Sequence, residues 1–204
     1  ATRLQVIGFV EYSYVKRMSE KDMTVTAVIL NGWNDSTPQL YYPGVTKQPA
    51  SVANYYGFHV ATEEGYESLR AIAAFLADRY GRKSSPYGRV SNWVIGNEIN
   101  NQLWNYMGPM SLESYINEYQ RAFRVFYTAI RSTSQSSRVF FTTDYNWMHE
   151  ADGSLTYNAK DLLDAFNNQM IPGGSMDWGL AYHPYSIPLT EPEFWNDRET
   201  GLIK

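Results

Sequence analysis

The chain has 204 residues and a formal net charge of −4, and it contains no cysteine. The acidic balance argues against a nucleic-acid binder. No apolar run approaches the ~18 residues that a membrane-spanning helix needs, and the lack of cysteine excludes disulfides and thiolate metal sites. Aromatic residues are unusually frequent, at 16%, with 17 tyrosines and 6 tryptophans.

The first half of the chain predicts two strands with a helix between them. Residues 23–30 are rich in β-branched side chains and predict a buried strand, which a long aromatic loop follows from residue 33 to about 61. Thr62 is a predicted N-cap, and Gly81 is the predicted C-terminal stop of that helix. Residues 90–97 predict the second strand. The helix carries one apolar face, made of Leu69, Ile72, Leu76 and Tyr80.

The second half repeats this order. Ser111 is the predicted cap of a long helix, residues 138–143 predict a third strand, and residues 158–170 predict another amphipathic helix. Residues 177–182 predict the fourth strand. Upstream of the first strand, the spacing of apolar residues suggests one more helix, through Val6, Val10 and Tyr14.

Strands that alternate with helices predict an α/β fold built of parallel βα units. An open nucleotide-binding sheet is expected to carry a glycine-rich turn after a strand, and neither G-x-G-x-x-G nor G-x-x-x-x-G-K occurs. The sequence therefore favours the (β/α)8 TIM-barrel type. Active sites of such barrels lie on the loops that follow the strands.

Polar or ionisable residues follow all four predicted strands. Any one of them could be an ordinary turn residue, because Asn and Asp favour turns generally. Their recurrence after every strand points instead to a site at this edge, formed by Asn31 and Asn34, Asn97 and Glu98, Asp144 and Asn146, and His183 and Tyr185.

Glu98 is the most informative of these residues. A buried strand leads directly to it, and a partly buried carboxyl group suits a general acid because burial disfavours the charged form. The alternative is a structural carboxylate that pairs with an arginine. Asn97, at the bend beside it, is a candidate to hydrogen-bond a substrate hydroxyl.

The segment Ile95-Gly96-Asn97-Glu98-Ile99-Asn100-Asn101-Gln102-Leu103-Trp104, followed by Gly108, resembles the fourth-strand motif of clan A glycoside hydrolases. It is similar to the β-1,4-galactanases, which also have G-N-E-I and a Leu-Trp pair, and to an uncharacterised bacterial glycosidase-like barrel family. The resemblance implies that Asn97 contacts the sugar. It also implies that Glu98 is the general acid/base of a retaining reaction.

The same resemblance assigns the four predicted strands to positions three to six of a barrel. His183 and Tyr185 then resemble the His or Tyr cluster that clan A enzymes often carry after strand six, although a core histidine is an equal alternative. The nucleophile of clan A is a Glu at the end of strand seven, so we expect it beyond residue 204. Residues 1–204 are accordingly expected to form one barrel segment, incomplete at both ends.

The aromatic residues gain a function from this hypothesis, because flat rings suit the CH-rich faces of pyranose sugars. Trp33, Trp104 and Trp147 are the stacking candidates, and small aromatic cores within the loops are the alternative. His59 is a weaker subsite candidate. No H-x-H or H-E-x-x-H pattern occurs, so neither a metal site nor a cofactor is predicted.

Two hypotheses remain. The first is a retaining glycoside hydrolase that acts on a β-linked polysaccharide or oligosaccharide, a substrate that favours a secreted or periplasmic location. The second is a non-catalytic carbohydrate-binding barrel that lacks the second carboxylate. A hydrolase of another bond type has little support, since no G-x-S-x-G motif is present.

Overall fold

A computed structural model describes residues 12–148, 151–174, 176–185 and 193. Its core is a parallel four-stranded sheet whose strands alternate with helices, so the protein has an α/β architecture. The strands are β1 (Thr26–Ile29), β2 (Asn92–Ile95), β3 (Arg138–Thr143) and β4 (Trp178–Tyr182). The helices are α1 (Tyr12–Ser19), α2 (Glu63–Tyr80), α3 (Leu112–Thr133) and α4 (Ala159–Met170), with short 3₁₀ turns at Pro38–Leu40 and Ile171–Gly173.

The strands lie in the sheet in the order in which they occur in the chain, β1-β2-β3-β4, and every pairing is parallel. Helices α2, α3 and α4 each connect two neighbouring strands. Trp93, Ile95, Val139 and Phe141 join the same apolar core as these helices. Because side chains alternate across a strand, the intervening Val94 belongs to the opposite face of the sheet.

The helix ends follow the predicted capping chemistry. The Thr62 hydroxyl accepts a hydrogen bond from the Gly65 backbone N–H at 3.1 Å, and the Ser111 hydroxyl accepts one from Ser114 at 3.3 Å. Gly81 caps α2 as predicted, with a right-handed φ of −83° and its N–H bonded to the Ala77 carbonyl. Its role here therefore does not depend on the left-handed freedom of glycine.

Three of the four strands are shorter than their sequence patterns predict. The pattern marks apolar segments, whereas a strand extends only as far as its backbone pairs with a neighbour. β1 and β2 are paired over four residues, from Thr26 opposite Asn92 to Ile29 opposite Ile95, and Gly96 then turns away with a φ of +83°. Residues 138–143 match the prediction at both ends.

The predicted upstream helix is found in part. Tyr14 lies in α1, while Val6 and Val10 lie outside the described residues. Across the part of the chain that the structure describes, no helix combines the length and the apolar character needed to cross a membrane.

Candidate active site

The candidate site lies at the carboxyl-terminal edge of the sheet. Glu98 follows β2, Asp144 follows β3 and His183 follows β4. Since the strands are parallel and adjacent, their carboxyl ends meet at one edge, and side chains far apart in sequence come together there.

The turn that carries Glu98 has an unusual backbone. Gly96 has a φ of +83°, and Glu98 is itself left-handed with a φ of +41°. A Cβ atom at position 96 would lie 2.8 Å from Cγ2 of the buried Ile99, so glycine is required by conformation and by space. A glutamate in the left-handed region costs about 1–3 kcal/mol, and such strain persists where the surroundings enforce it, often at functional sites.

Glu98 and His183 are in direct contact. Glu98 Oε1 lies 2.8 Å from His183 Nδ1, and the two side chains are 12% and 27% exposed. This distance is that of a hydrogen bond between the Glu98 carboxyl group and the His183 ring. The Tyr185 hydroxyl lies 3.4 Å from the same ring nitrogen. Burial raises the pKa of Tyr185, and the negative charge of Glu98 raises it further.

Asp144 is buried beside this pair and is held by an amide. Asn100 donates to Asp144 Oδ1 at 2.7 Å and accepts a hydrogen bond from the Asp144 backbone N–H at 2.9 Å. The Asn146 N–H also donates to Oδ1, at 2.8 Å. Burial raises the pKa of Asp144 despite these bonds, and the charge of Glu98 acts in the same direction.

Asn97 is half-buried next to Glu98. Within the described residues its side-chain amide forms no hydrogen bond with the protein. An amide offers two donors and an acceptor. Asn97 can therefore bind a polar ligand beside the Glu98 carboxylate without first breaking an internal contact to a described residue.

Helix α3 contacts the chain on both sides of the Glu98 turn. The Tyr119 hydroxyl donates to the Ile95 carbonyl at 2.6 Å, and the Tyr115 hydroxyl donates to the Ile99 carbonyl at 2.7 Å. The sequence pattern predicts only packing for these tyrosines. The helical spacing predicts that these side chains are buried, but it does not predict whether their hydroxyl groups form hydrogen bonds.

The three predicted stacking tryptophans are all half-buried and lie in loops after strand ends. Trp33 stacks on Tyr41 at 4.2 Å between ring centroids, and its indole N–H donates to Asp35 at 2.6 Å. Trp104 faces Tyr55 at 6.3 Å with the ring planes 29° apart, and Trp147 meets Tyr182 edge-on at 6.1 Å. Trp33 also packs on Tyr56, at 4.9 Å between ring centroids, and all three tryptophan rings keep part of their surface exposed.

Asn31 and His59 are engaged with the backbone of the loop after β1. The Asn31 amide donates to the Leu40 carbonyl at 3.0 Å. His59 is 3% exposed, with Nε2 placed 3.0 Å from the Gln39 carbonyl and Nδ1 accepting from the Ala61 N–H at 3.2 Å. Burial lowers the pKa of His59 and favours the neutral ring that these two bonds require. The structure therefore gives both residues a role in shaping the loop.

A cavity of about 370 Å³ lies elsewhere, at the carboxyl-terminal end of α2. It is lined by Phe75, Asp78, Arg79, Arg82 and residues 84–87. The Arg79 guanidinium already stacks over the Tyr87 ring, 3.5 Å from its centroid. Among the described residues, no group of three or more His, Cys, Asp or Glu side chains is arranged to hold a metal ion.

Comparison with known proteins gives a family without an assigned activity. A family model described as "Family of unknown function (DUF5722)" matches residues 7–203. The match covers nearly the whole chain, so the chain belongs to this family. No curated protein matches it.

Proposed function

We propose that this member of the DUF5722 family is a retaining glycoside hydrolase that acts on a β-linked polysaccharide or oligosaccharide. The observation that carries the proposal is the Glu98 carboxyl group. It is 12% exposed at the carboxyl-terminal edge of a parallel sheet, with His183 Nδ1 at 2.8 Å. A largely buried carboxyl group that is hydrogen-bonded to an imidazole is held in a fixed orientation, which general acid/base work requires.

Glu98 has two successive roles in this mechanism. As the acid, it gives its proton to the glycosidic oxygen while the bond from that oxygen to the anomeric carbon breaks and a second carboxylate bonds to the carbon. As the base, the Glu98 carboxylate takes a proton from water, whose oxygen then displaces the second carboxylate. Retention requires the two carboxyl groups to be about 5–5.5 Å apart, and we assign the second carboxylate to none of the described residues.

Other side chains at this edge have supporting roles in the proposal. Asn97 binds a sugar hydroxyl through its side-chain amide, which forms no hydrogen bond with a described residue. His183 orients the Glu98 carboxyl group, Tyr185 contacts the His183 ring, and Asp144 adds negative charge that favours an oxocarbenium-like transition state. Trp104, Trp147 and Trp33 are the candidates for stacking on sugar rings.

We further propose that the four strands are neighbours in a (β/α) barrel. Sequential strand order supports this, since a doubly wound sheet reverses its order and carries helices on both faces. Here one face of the sheet packs on α2, α3 and α4 through a single apolar core.

The test is Glu98→Ala and Glu98→Gln in the natural full-length protein, assayed on aryl β-glycosides and on β-linked polysaccharides. We expect a loss of about 10²–10⁴-fold in kcat on substrates with poor leaving groups, because they need the acid. Substrates with an activated aryl leaving group need less assistance and are expected to lose less. Azide, a nucleophile that requires no base, is expected to restore turnover of Glu98→Ala and to yield a β-glycosyl azide.

Glu113→Gln is the matched control, because Glu113 is an exposed carboxylate in the first turn of α3. Its activity is expected to equal that of the wild type. Wild-type turnover by Glu98→Gln would rule the assignment out. Oligosaccharide binding by the wild type without any hydrolysis would favour the carbohydrate-binding barrel.

A further inference from the structure

The Glu98 turn is anchored by two tyrosines of α3. The hydroxyl of Tyr119 donates to the carbonyl of Ile95, and the hydroxyl of Tyr115 donates to the carbonyl of Ile99. The two acceptors lie three residues before Glu98 and one residue after it. Tyr115 and Tyr119 are four residues apart, so they lie on the same face of the helix.

Both tyrosines are deeply buried, with exposed fractions of 0% and 3%. Tyr115 also accepts a hydrogen bond from the Asn105 amide at 2.8 Å, and the Asn105 carbonyl is a second, longer acceptor for its hydroxyl at 3.2 Å. Tyr119 packs its ring against Phe123, Phe141 and Phe166. Neither hydroxyl can therefore move far, so each hydrogen bond holds one end of the turn at a fixed position relative to α3.

These two hydrogen bonds hold a turn whose backbone is strained. Glu98 has a left-handed φ of +41°, a conformation that persists only where the surrounding structure enforces it. The Ile99 N–H donates to the Thr142 carbonyl of β3 at 3.3 Å, so the turn is held from the sheet side as well. The hydrogen bonds from α3 restrain the carbonyl groups on either side of the strained residues.

We propose that Tyr115 and Tyr119 are positioning residues that set the direction of the Glu98 carboxyl group for catalysis. This inference rests on the proposed function of Glu98 as the general acid/base. A shift of about 1 Å in a catalytic group can lower the rate about a hundredfold. Loss of either hydroxyl is expected to act on kcat and to leave the sugar-binding surface intact.

The experiment uses Tyr115→Phe and Tyr119→Phe in the natural full-length protein, because phenylalanine keeps the packing ring and removes only the hydroxyl. The control is Tyr127→Phe. Tyr127 lies on the same helix, and its hydroxyl accepts a hydrogen bond from the Asp177 N–H at 2.9 Å, next to the amino-terminal end of β4. The control therefore removes a hydroxyl hydrogen bond at the opposite edge of the sheet.

Two readouts are measured, kinetics on an aryl β-glycoside and amide hydrogen exchange of the peptide that spans residues 92–105. For Tyr115→Phe and Tyr119→Phe we expect kcat to fall about tenfold or more with KM within about twofold. Exchange is expected to become faster in the turn than in the wild type and to change less in the core helices. Tyr127→Phe is expected to match the wild type in both readouts.

The readouts distinguish this inference from the proposed function. If Glu98→Gln is inactive while both tyrosine variants keep the wild-type kcat, the positioning role is overturned, whatever the exchange shows. If Glu98→Gln is active, the proposed function has failed, and unchanged exchange in the turn would overturn the anchoring as well. If Tyr127→Phe lost as much kcat as Tyr115→Phe and Tyr119→Phe, the loss would reflect a general effect of helix stability. That result would also overturn the positioning role.

Discussion

At the scale of single residues, the site depends on where the chain can adopt a left-handed backbone. Gly96 follows β2 with a φ of +83° and lets the chain turn sharply before Glu98. Gly44 has a similar φ of +85° in an open loop, whereas Gly32 is not left-handed. These three glycines separate the conformational requirement for glycine from the steric one.

We predict that Gly96→Ala lowers the free energy of unfolding more than Gly44→Ala does, and that Gly32→Ala has little effect. An alanine in the left-handed region costs about 1–2 kcal/mol, which applies to positions 96 and 44. Position 96 adds the clash of the new Cβ with Ile99 Cγ2 at 2.8 Å, whereas no atom lies within 4 Å of a Cβ at positions 44 and 32. Urea denaturation of the three variants measures the difference.

The controls make two outcomes decisive. Equal losses in Gly96→Ala and Gly44→Ala would show that Ile99 gives way without cost. Equal stability of all three variants would contradict the left-handed backbone itself. Replacement of Gly32 is expected to stay within about 0.5 kcal/mol of the wild type.

Sequence reasoning predicts part of this site. Glu98, Asp144 and His183 follow apolar strand patterns, so their shared position at one edge is predictable from the order of strands and helices in the sequence. The buried amide of Asn100 and the hydroxyl of Tyr119 are not predictable in this way. Their roles depend on partners 44 and 24 residues away in the chain, and local patterns carry no information about such pairings.

At the scale of elements, α3 is the central helix, because it contacts both α2 and α4 as well as the sheet. Its buried face packs against both neighbouring helices and the sheet in one apolar core, through residues such as Tyr115, Phe123 and Ile130. The amphipathic pattern and the Ser111 cap make this helix predictable from sequence. Its link to the end of α4 is not predictable, because that link depends on a single long side chain.

The link is Arg124, whose guanidinium group caps the end of α4. It donates to the carbonyls of Met170 at 2.9 Å, Gln169 at 3.2 Å and Gly173 at 3.4 Å. The last carbonyls of a helix have no partner within it and need donors from elsewhere. A Cβ atom at position 173 would lie 2.2 Å from the guanidinium, so glycine is what allows this approach.

We predict that Arg124→Met lowers the free energy of unfolding by about 1–3 kcal/mol, because methionine keeps an apolar stem and leaves the carbonyls unpaired. Arg70→Met is the matched control. Arg70 is 61% exposed, and among the described residues it pairs only with Glu67 on the surface of α2, so its loss is expected to cost less than about 1 kcal/mol. Chemical denaturation of both variants gives the comparison. A loss in Arg124→Met no larger than in Arg70→Met would show that solvent replaces the cap.

At the scale of the whole molecule, the two faces of the sheet differ. One face packs on the helices through a continuous apolar core. Alternation along the strands places Val28 of β1 and Val94 of β2 on the other face. Val94 is 5% exposed, whereas Val28 is 47% exposed on a strand that pairs with one neighbour among the described residues. The proposed barrel requires this second face to be the interior of the protein.

The barrel can be tested with a single engineered thiol, because the chain contains no cysteine. We predict that the thiol of a Val28→Cys variant of the natural full-length protein is protected from a soluble thiol reagent, since a barrel interior is filled by side chains and closed to solvent. Ile171→Cys is the control, as Ile171 is 66% exposed in the turn after α4. Its labelling is expected to be fast, and peptide mass spectrometry assigns each label to its position.

The comparison of rates decides between a closed and an open sheet. Slow labelling at position 28 that becomes fast only in denaturant would support a barrel, because the protection would then depend on the folded state. Labelling at position 28 as fast as at position 171 in the folded protein would mean that the second face meets water. Glu98 would then lie at the edge of an open sheet, and the active-site geometry of a (β/α) barrel would no longer support its proposed role.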